Sequence, residues 1–384
     1  MRKYRHPIAA DSWGEEERAA WRSMVNDPVD PEDPGEQMTM GLRVAEFEEA
    51  FARRMGAKHG VMVNSGSSAL LLAAFWKRSV TGPGGIAVCP ALTWPTTVWP
   101  FMQAGFKIEF VDVDPETLTW RKEEVYQNGA AVLVPVHMMG NPAYVPQSHA
   151  LTVIADSCES AEPMSGALAC YSFYFSHHLQ TVEGGMVLTN VAAVADWLRV
   201  ARNHGMVRHA GEGWQSRTQT LAPRIDKRFL FSDWGFNVRP MEVQGAVGLV
   251  QLGRLDEFNR QRRYAADRLR GALPTGYRVA LVPQNLSPFA LPILAPSATA
   301  KEIAMSRLEA AGIETRGVIG GGFLLEQPAV KVMFKTHTIE GVWRREFPGA
   351  REAHERGFFI GLWPGMGDGH LEWLGNELAG VPNV

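Results

Sequence analysis

The chain has 384 residues, with 38 Lys and Arg against 41 Asp and Glu, a net charge of −3, 46% hydrophobic and 21% charged residues. This balance excludes a disordered chain and leaves no strongly basic footprint for nucleic acid. Three cysteines, Cys89, Cys158 and Cys170, are too few for a disulfide scaffold or the usual thiolate set of an iron–sulfur cluster. No run of about 18 apolar residues marks a membrane span. The basic start of the chain leads into no apolar stretch, so a cytoplasmic protein is expected.

In chain order, residues 12–25 have helical character, and 41–55 form an amphipathic helix with Val44, Phe47, Ala50 and Phe51 on one side. Short apolar strands then alternate with helices. Strands are predicted over 60–63, 86–89, 108–111, 131–136, 152–155, 169–174 and 186–188, with helices over 67–77 and 95–104. Such alternation implies a mainly parallel sheet covered on both faces, with ligands bound beyond the carboxyl ends of its strands. After residue 192 the pattern turns helical. Two helices, 240–255 and 256–273, are expected around a hinge. Residues 275–384 mix strands (277–281, 289–294) with helices (300–311, 371–378). The expected domains are a large one over 1–255, with an N-terminal helical arm, and a small α+β one over 256–384.

Four constellations lie at the expected ligand edge. Asn64-Ser65-Gly66-Ser67-Ser68 follows a strand and opens a helix; this is an anion site or an ordinary serine cap. Trp94, just past the next strand, stacks on a flat ligand or fills the core. Asp156, in Ile154-Ala155-Asp156-Ser157-Cys158-Glu159, pairs with a protonated ring nitrogen or caps a helix, with Glu159 near the same ring. His177 and His178 close the run Ser172-Phe173-Tyr174-Phe175-Ser176. Neighbours in an extended chain point to opposite sides, which favours one histidine acting as a base over a shared metal; no metal is expected.

In order, VNSGSSAL, PALTWPTT, FVDVDPETL, VPVHMMGNP, DSCES, SFYFSHHLQTVEGGM and GFNVRPMEVQGAVGL resemble the DegT/DnrJ/EryC1/StrS sugar-aminotransferase family. The resemblance implies a pyridoxal 5'-phosphate (PLP) or pyridoxamine 5'-phosphate enzyme of the aspartate-aminotransferase fold, PLP fold type I, with a mainly parallel seven-stranded sheet. It places Gly66, Ser67 and Ser172 on the cofactor phosphate, Trp94 against the pyridine ring, Asp156 on the ring nitrogen and Glu159 near the ring hydroxyl. Asn237 would reach the phosphate of a neighbouring subunit, which implies a homodimer with shared active sites.

The family's aminotransferases carry a lysine where this chain has His177. An imidazole cannot bond the cofactor aldehyde but can move a proton, so the cofactor is expected to be held non-covalently. The HH pair followed by TxEGG resembles the family's 3-dehydratases, specifically the branch without an iron–sulfur cluster. The implied reaction is loss of the C3 hydroxyl from a nucleotide-linked 4-keto-6-deoxysugar. Glutamate is the implied amino donor, Arg208 the residue for its carboxylate, and Phe229 and His178 further substrate contacts. The C-terminal part departs from the family: Gly320–Pro328 lacks an expected asparagine, and Gly361-Leu362-Trp363-Pro364 replaces a polar element. These losses leave two alternatives open: a PLP-dependent decarboxylase or other lyase acting on an amino-acid group, on a modified nucleotide or base, and a non-catalytic ligand-binding relative.

Overall fold

The computed structural model describes residues 4–26, 38–125, 129–146, 151–281, 286–318, 324–330, 332 and 346–382. Seven strands build the central sheet: β1 (His59–Val63), β2 (Ile86–Pro90), β3 (Lys107–Val111), β4 (Ala130–Leu133), β5 (Thr152–Asp156), β6 (Leu168–Ser172) and β7 (Gly185–Thr189). Their order is β1-β7-β6-β5-β4-β2-β3. From β3 to β6 all neighbours are parallel, while β7 runs antiparallel between β6 and β1. The mainly parallel sheet is thus as expected. Its strands are buried almost throughout, because helices cover both faces.

Helix α1 (Glu15–Asn26) packs on the long helix Glu242–Arg270, while α2 (Leu42–Arg54), α3 (Gly66–Thr81), α4 (Pro95–Gln103) and α5 (Ala192–Ala201) cover the sheet and α6 (Glu212–Leu221) packs beside the turn Val207–His209. On α2, Val44, Phe47 and Phe51 share one buried face at helical spacing. Phe51 packs edge-on against Tyr171 and Phe173 of the sheet, with ring centroids 5.2 and 5.0 Å apart.

Helix α7 spans Glu242–Arg270 without a break. The expected pair of helices is therefore one helix, running through residues 255 and 256 where the sequence places a hinge. The reason is a continuous stripe: Leu255, Phe258, Arg262, Ala265 and Leu269 are all buried, at spacings that keep one helix face inward, and no proline interrupts them.

A second sheet follows, made of β8 (Arg278–Val279), β9 (Ala290–Leu294), β10 (Thr315–Gly317) and β11 (Gly357–Gly361). Its order is β10-β11-β9-β8, all antiparallel. Helices α8 (Ala298–Ala310), α9 (Pro348–Arg356) and α10 (Asp368–Ala379) accompany it. Leu269 of α7, Leu291, Ile293, Leu308, Ile360 and Leu374 belong to its core. The first described residues join this sheet and not the large one: the Arg5 and His6 amides donate to the Gly312 carbonyl, and the Glu314 amide donates to that of His6. No helix among the described residues is long and apolar enough to cross a membrane.

Candidate active site

The carboxyl ends of β1, β5 and β6 open onto one cavity of about 360 Å³, the size of a small-ligand site. Gly185 at the start of β7 pairs with Val63 on one side and Ser172 on the other. A Cβ at Gly185 would fall 2.4 Å from the Ser65 carbonyl, so only glycine lets the turn after β1 pass this close to the sheet. That turn starts α3. Ser65 is the cap, its hydroxyl accepting the Ser68 amide at 3.1 Å. The cap role thus falls to Ser65 and leaves Ser67 on the cavity wall, its hydroxyl bonded to Thr96 at 3.1 Å. Helix α3 has 16 residues, so its first turn presents unpaired amides with the positive end of the dipole. Ser172 lies opposite: a Cβ at Gly66 would stand 2.7 Å from that of Ser172.

Asp156 ends β5 and is 5% exposed. One carboxylate oxygen accepts the Thr97 hydroxyl at 2.7 Å, the other the Cys158 amide at 3.1 Å. Burial pushes its pKa up, against those two hydrogen bonds. Glu159 accepts the Met139 amide at 2.9 Å. Burial drives its pKa up to about 7, opposed by that bond and reinforced by the charge of Asp156. Met139 itself holds a positive φ of 55°, a costly conformation outside glycine.

His177 sits on a turn just beyond β6, its amide donating to the Tyr174 carbonyl at 2.9 Å. The strand ends at Ser172, two residues earlier than expected. The imidazole packs edge-to-face on Phe289, centroids 5.2 Å apart, and its Nδ1 is buried without a hydrogen-bond partner. Burial lowers its pKa to about 4; main-chain groups of Ser172 and Cys158 oppose this and the Arg262 charge adds to it. The ring is therefore a neutral base at physiological pH.

Gly66, Ser67, Trp94, Asp156, Glu159, Ser172 and His177 all line this cavity. His178 does not: it is buried, its Nε2 bonded to the Ser287 carbonyl at 3.1 Å. The paired histidines thus part company, one into the cavity and one into the interior. Arg208, on the short turn Val207–His209, is exposed, as are Phe229 and Asn237; none of the three lines the cavity of its own chain. Residues 320–323 of the expected sugar-side run lie outside the described residues. The replaced element at Gly361–Pro364 has structural partners instead: the Gly361 carbonyl bonds His6, and Trp363 packs on the His6 ring at 4.3 Å. Sequence reasoning missed Thr97, Met139, Phe289 and Arg316, all on the cavity wall. Thr97 had a signal, in the first turn of the helix behind Trp94. Phe289 and Arg316 had none, being brought in by the second sheet from more than a hundred residues away.

A cofactor fits on a specific ground. Asp156 is a buried carboxylate with unused acceptor capacity, and among the described residues no lysine or arginine stands within ion-pair distance of it. A protonated ring nitrogen would supply that cation. Among the described residues no lysine lines the cavity, so none of them offers an amine there for a covalent link.

Fold and site together define an enzyme of PLP fold type I, with His177 and, among the described residues, no lysine on the cavity wall. Residues 25–378 match the model of the DegT/DnrJ/EryC1/StrS aminotransferase family, and the chain belongs to that family. It is 30% identical to a GDP-4-keto-6-deoxy-D-mannose 3-dehydratase of Yersinia pseudotuberculosis, over 92% of this chain and 93% of the relative. The E. coli GDP-4-keto-6-deoxy-D-mannose-3-dehydratase with bound hydrated PLP superposes with a TM-score of 0.83 at 25% identity, covering 98% of this chain and 99% of that one. A GDP-4-keto-6-deoxymannose-3-dehydratase with a trapped PLP-glutamate geminal diamine gives 0.80 at 25% identity, covering 97% and 100%. The protein is a PLP/PMP-dependent, lyase-type enzyme of its family.

Proposed function

We propose that the protein removes the C3 hydroxyl of a nucleotide-linked 4-keto-6-deoxysugar, with GDP as the carrier and glutamate as amino donor. The observation that carries this is His177 on the cavity wall where, among the described residues, no lysine stands. The match to sugar 3-dehydratases over nine-tenths of the chain supports it. The amino-acid lyase and the non-catalytic relative are not favoured, because the match is to sugar 3-dehydratases over nine-tenths of the chain and every candidate cofactor residue except Asn237 lines one cavity.

Gly66, Ser67, Ser172 and the start of α3 would hold the cofactor phosphate. Trp94 would cover a ring face, and Asp156 would keep the ring nitrogen protonated. When bound, the cofactor supplies an electron sink and carries the donor's nitrogen. His177 takes a proton and returns it to the departing C3 hydroxyl, which leaves as water. Arg208, Phe229 and Asn237 would serve the site of a partner subunit in a cytoplasmic homodimer. Support for this comes from Phe229 and Phe231, 62% and 51% exposed in the single chain, large apolar groups of the kind interfaces cover.

The test is incubation with PLP, glutamate and GDP-4-keto-6-deoxymannose, followed by mass spectrometry. The expected sugar is lighter by one oxygen atom, with one 2-oxoglutarate and one ammonia per turnover. Unchanged sugar with glutamate decarboxylated instead would overturn the proposal.

A further inference from the structure

Arg262, in the C-terminal third of α7, is 2% exposed. Its guanidinium donates three hydrogen bonds, all to main-chain carbonyls: Phe289 at 3.1 Å and Leu362 at 2.6 Å from one terminal nitrogen, His177 at 3.1 Å from the other. Those carbonyls belong to the turn after β6, the entry to β9 and the exit from β11. Among the described residues no carboxylate stands within ion-pair distance of this cation, and its Nε has no partner. Burying a cation without a counter-ion is expensive, and packing alone would be served by an apolar side chain. What the fork does is specific: it holds the backbone beneath both His177 and Phe289, whose rings meet edge-to-face.

We propose that Arg262 is the positioning residue of the proton-transfer centre, its guanidinium fixing the His177 main chain and the flanking Phe289 and tying both to the second sheet through Leu362. This rests on His177 being the base of the proposed reaction. The charge of Arg262 acts in the same place. It opposes a second positive charge on the imidazole and, with burial, keeps the ring unprotonated. Other groups facing His177 are the adjacent His178, also shifted down, Tyr174, and, around the shared cavity, Asp156, Cys158, Glu159, Glu183 and Arg316. Arg262 is the cation among them that touches the His177 backbone.

Two variants separate geometry from charge. Arg262→Lys keeps the charge and loses the fork. Arg262→Gln loses the charge. Three quantities are read: kcat and KM with the keto sugar, cofactor affinity, and the pH profile of His177 carbethoxylation by diethyl pyrocarbonate in the cofactor-free chain, followed by peptide mass spectrometry. With lysine, kcat should fall on the order of 10²-fold, as small misplacements of a catalytic group do. KM, cofactor affinity and the His177 profile should hold. With glutamine, the midpoint of the profile should rise toward the ordinary histidine value of about 6.5. Wild-type kcat in the lysine variant would overturn the proposal, and so would a cofactor affinity that falls in step with kcat, or an unmoved profile in a folded glutamine variant. Should the glutamine variant fail to fold, the lysine variant decides alone. If the sugar reaction itself is wrong, the wild type is silent too, while the carbethoxylation profiles still report on Arg262.

Discussion

The Thr97 hydroxyl donates to Asp156 across 2.7 Å inside the protein, and with the Cys158 amide it stabilises the charge on that buried carboxylate. The pair joins the first turn of α4 to the end of β5. In the proposed role Asp156 would hold a cationic ring only while it stays ionised, and burial works against this.

Thr97→Val should therefore weaken cofactor binding. A hydrogen bond to a charged group contributes about 1.5–3 kcal/mol, roughly 10- to 150-fold in affinity. Titration of the cofactor-free chain with PLP, followed by absorbance, measures it. An unchanged dissociation constant would mean that the Cys158 amide alone suffices.

With His177 in place of the lysine, substrate-free holoenzyme treated with borohydride should yield no pyridoxyl-peptide. His177→Asn should retain the cofactor absorbance and lose turnover by about 10²–10⁴-fold, the usual scale for a general acid–base group. His178→Asn should perturb stability more than turnover, since its ring is bonded to the Ser287 carbonyl inside the protein. The reverse pattern would exchange the two roles.

The dimer proposal makes a complementation prediction. Arg208 and Asn237 lie outside the cavity of their own chain, so chains carrying His177→Asn and chains carrying Asn237→Ala should each be inactive and regain partial activity when refolded together. One of the two sites in a mixed dimer would be intact. No recovery on mixing would place Asn237 outside the chemistry.

Much of this was legible in the sequence, for local reasons. The strand-to-loop junctions that carry Gly66, Asp156 and Ser172 are written in short apolar runs followed by small polar residues, and the sheet's geometry turns junctions into a site. The continuity of the 29-residue α7 was not read, although its buried stripe at 255, 258, 262 and 269 keeps helical spacing through the expected break. Nor were β10 and β11; the three residues of β10 are too few for periodicity to register. The roles of Arg262, Phe289 and Arg316 depend on contacts between segments far apart in the chain, and residue type alone does not encode them.

Acid should destabilise the fold through its buried histidines. His137 accepts the Ala143 amide on Nδ1 at 3.0 Å, which leaves the ring proton on Nε2 facing the Ser165 hydroxyl at 2.9 Å, so a second proton, on Nδ1, would oppose the Ala143 N–H. Burial lowers its pKa to about 4. The unfolded chain takes up a proton near 6.5 and the folded one only near 4. The stability it contributes is thus present above pH 6.5 and lost as pH falls to 4, up to about 3 kcal/mol. His137→Gln, which can keep both bonds without titrating, should match the wild type in urea at pH 7.5 and fall less steeply by pH 4.5. Equal slopes would clear His137 of this role.

Glu159 should act in the opposite direction. Its folded pKa is raised to about 7 from 4.5, so the stability linked to its protonation is fully present below pH 4.5 and lost as pH rises through 7. Above that, the cofactor-free chain carries a buried anion whose cost has a ceiling of about 3 kcal/mol. Glu159→Gln keeps an acceptor for the Met139 amide and never ionises. Its urea midpoint should equal that of the wild type at pH 5 and exceed it at pH 8. The same variant should bind PLP less tightly and turn over more slowly if, as proposed, this carboxylate lies beside the cofactor ring. Stability gained where function is lost is the expected signature of a strained functional group, and Met139, held at positive φ by the same hydrogen bond, belongs to that strain. A gap between the two urea midpoints that does not widen from pH 5 to pH 8 would show that Glu159 titrates in its ordinary range and that its burial carries no such cost.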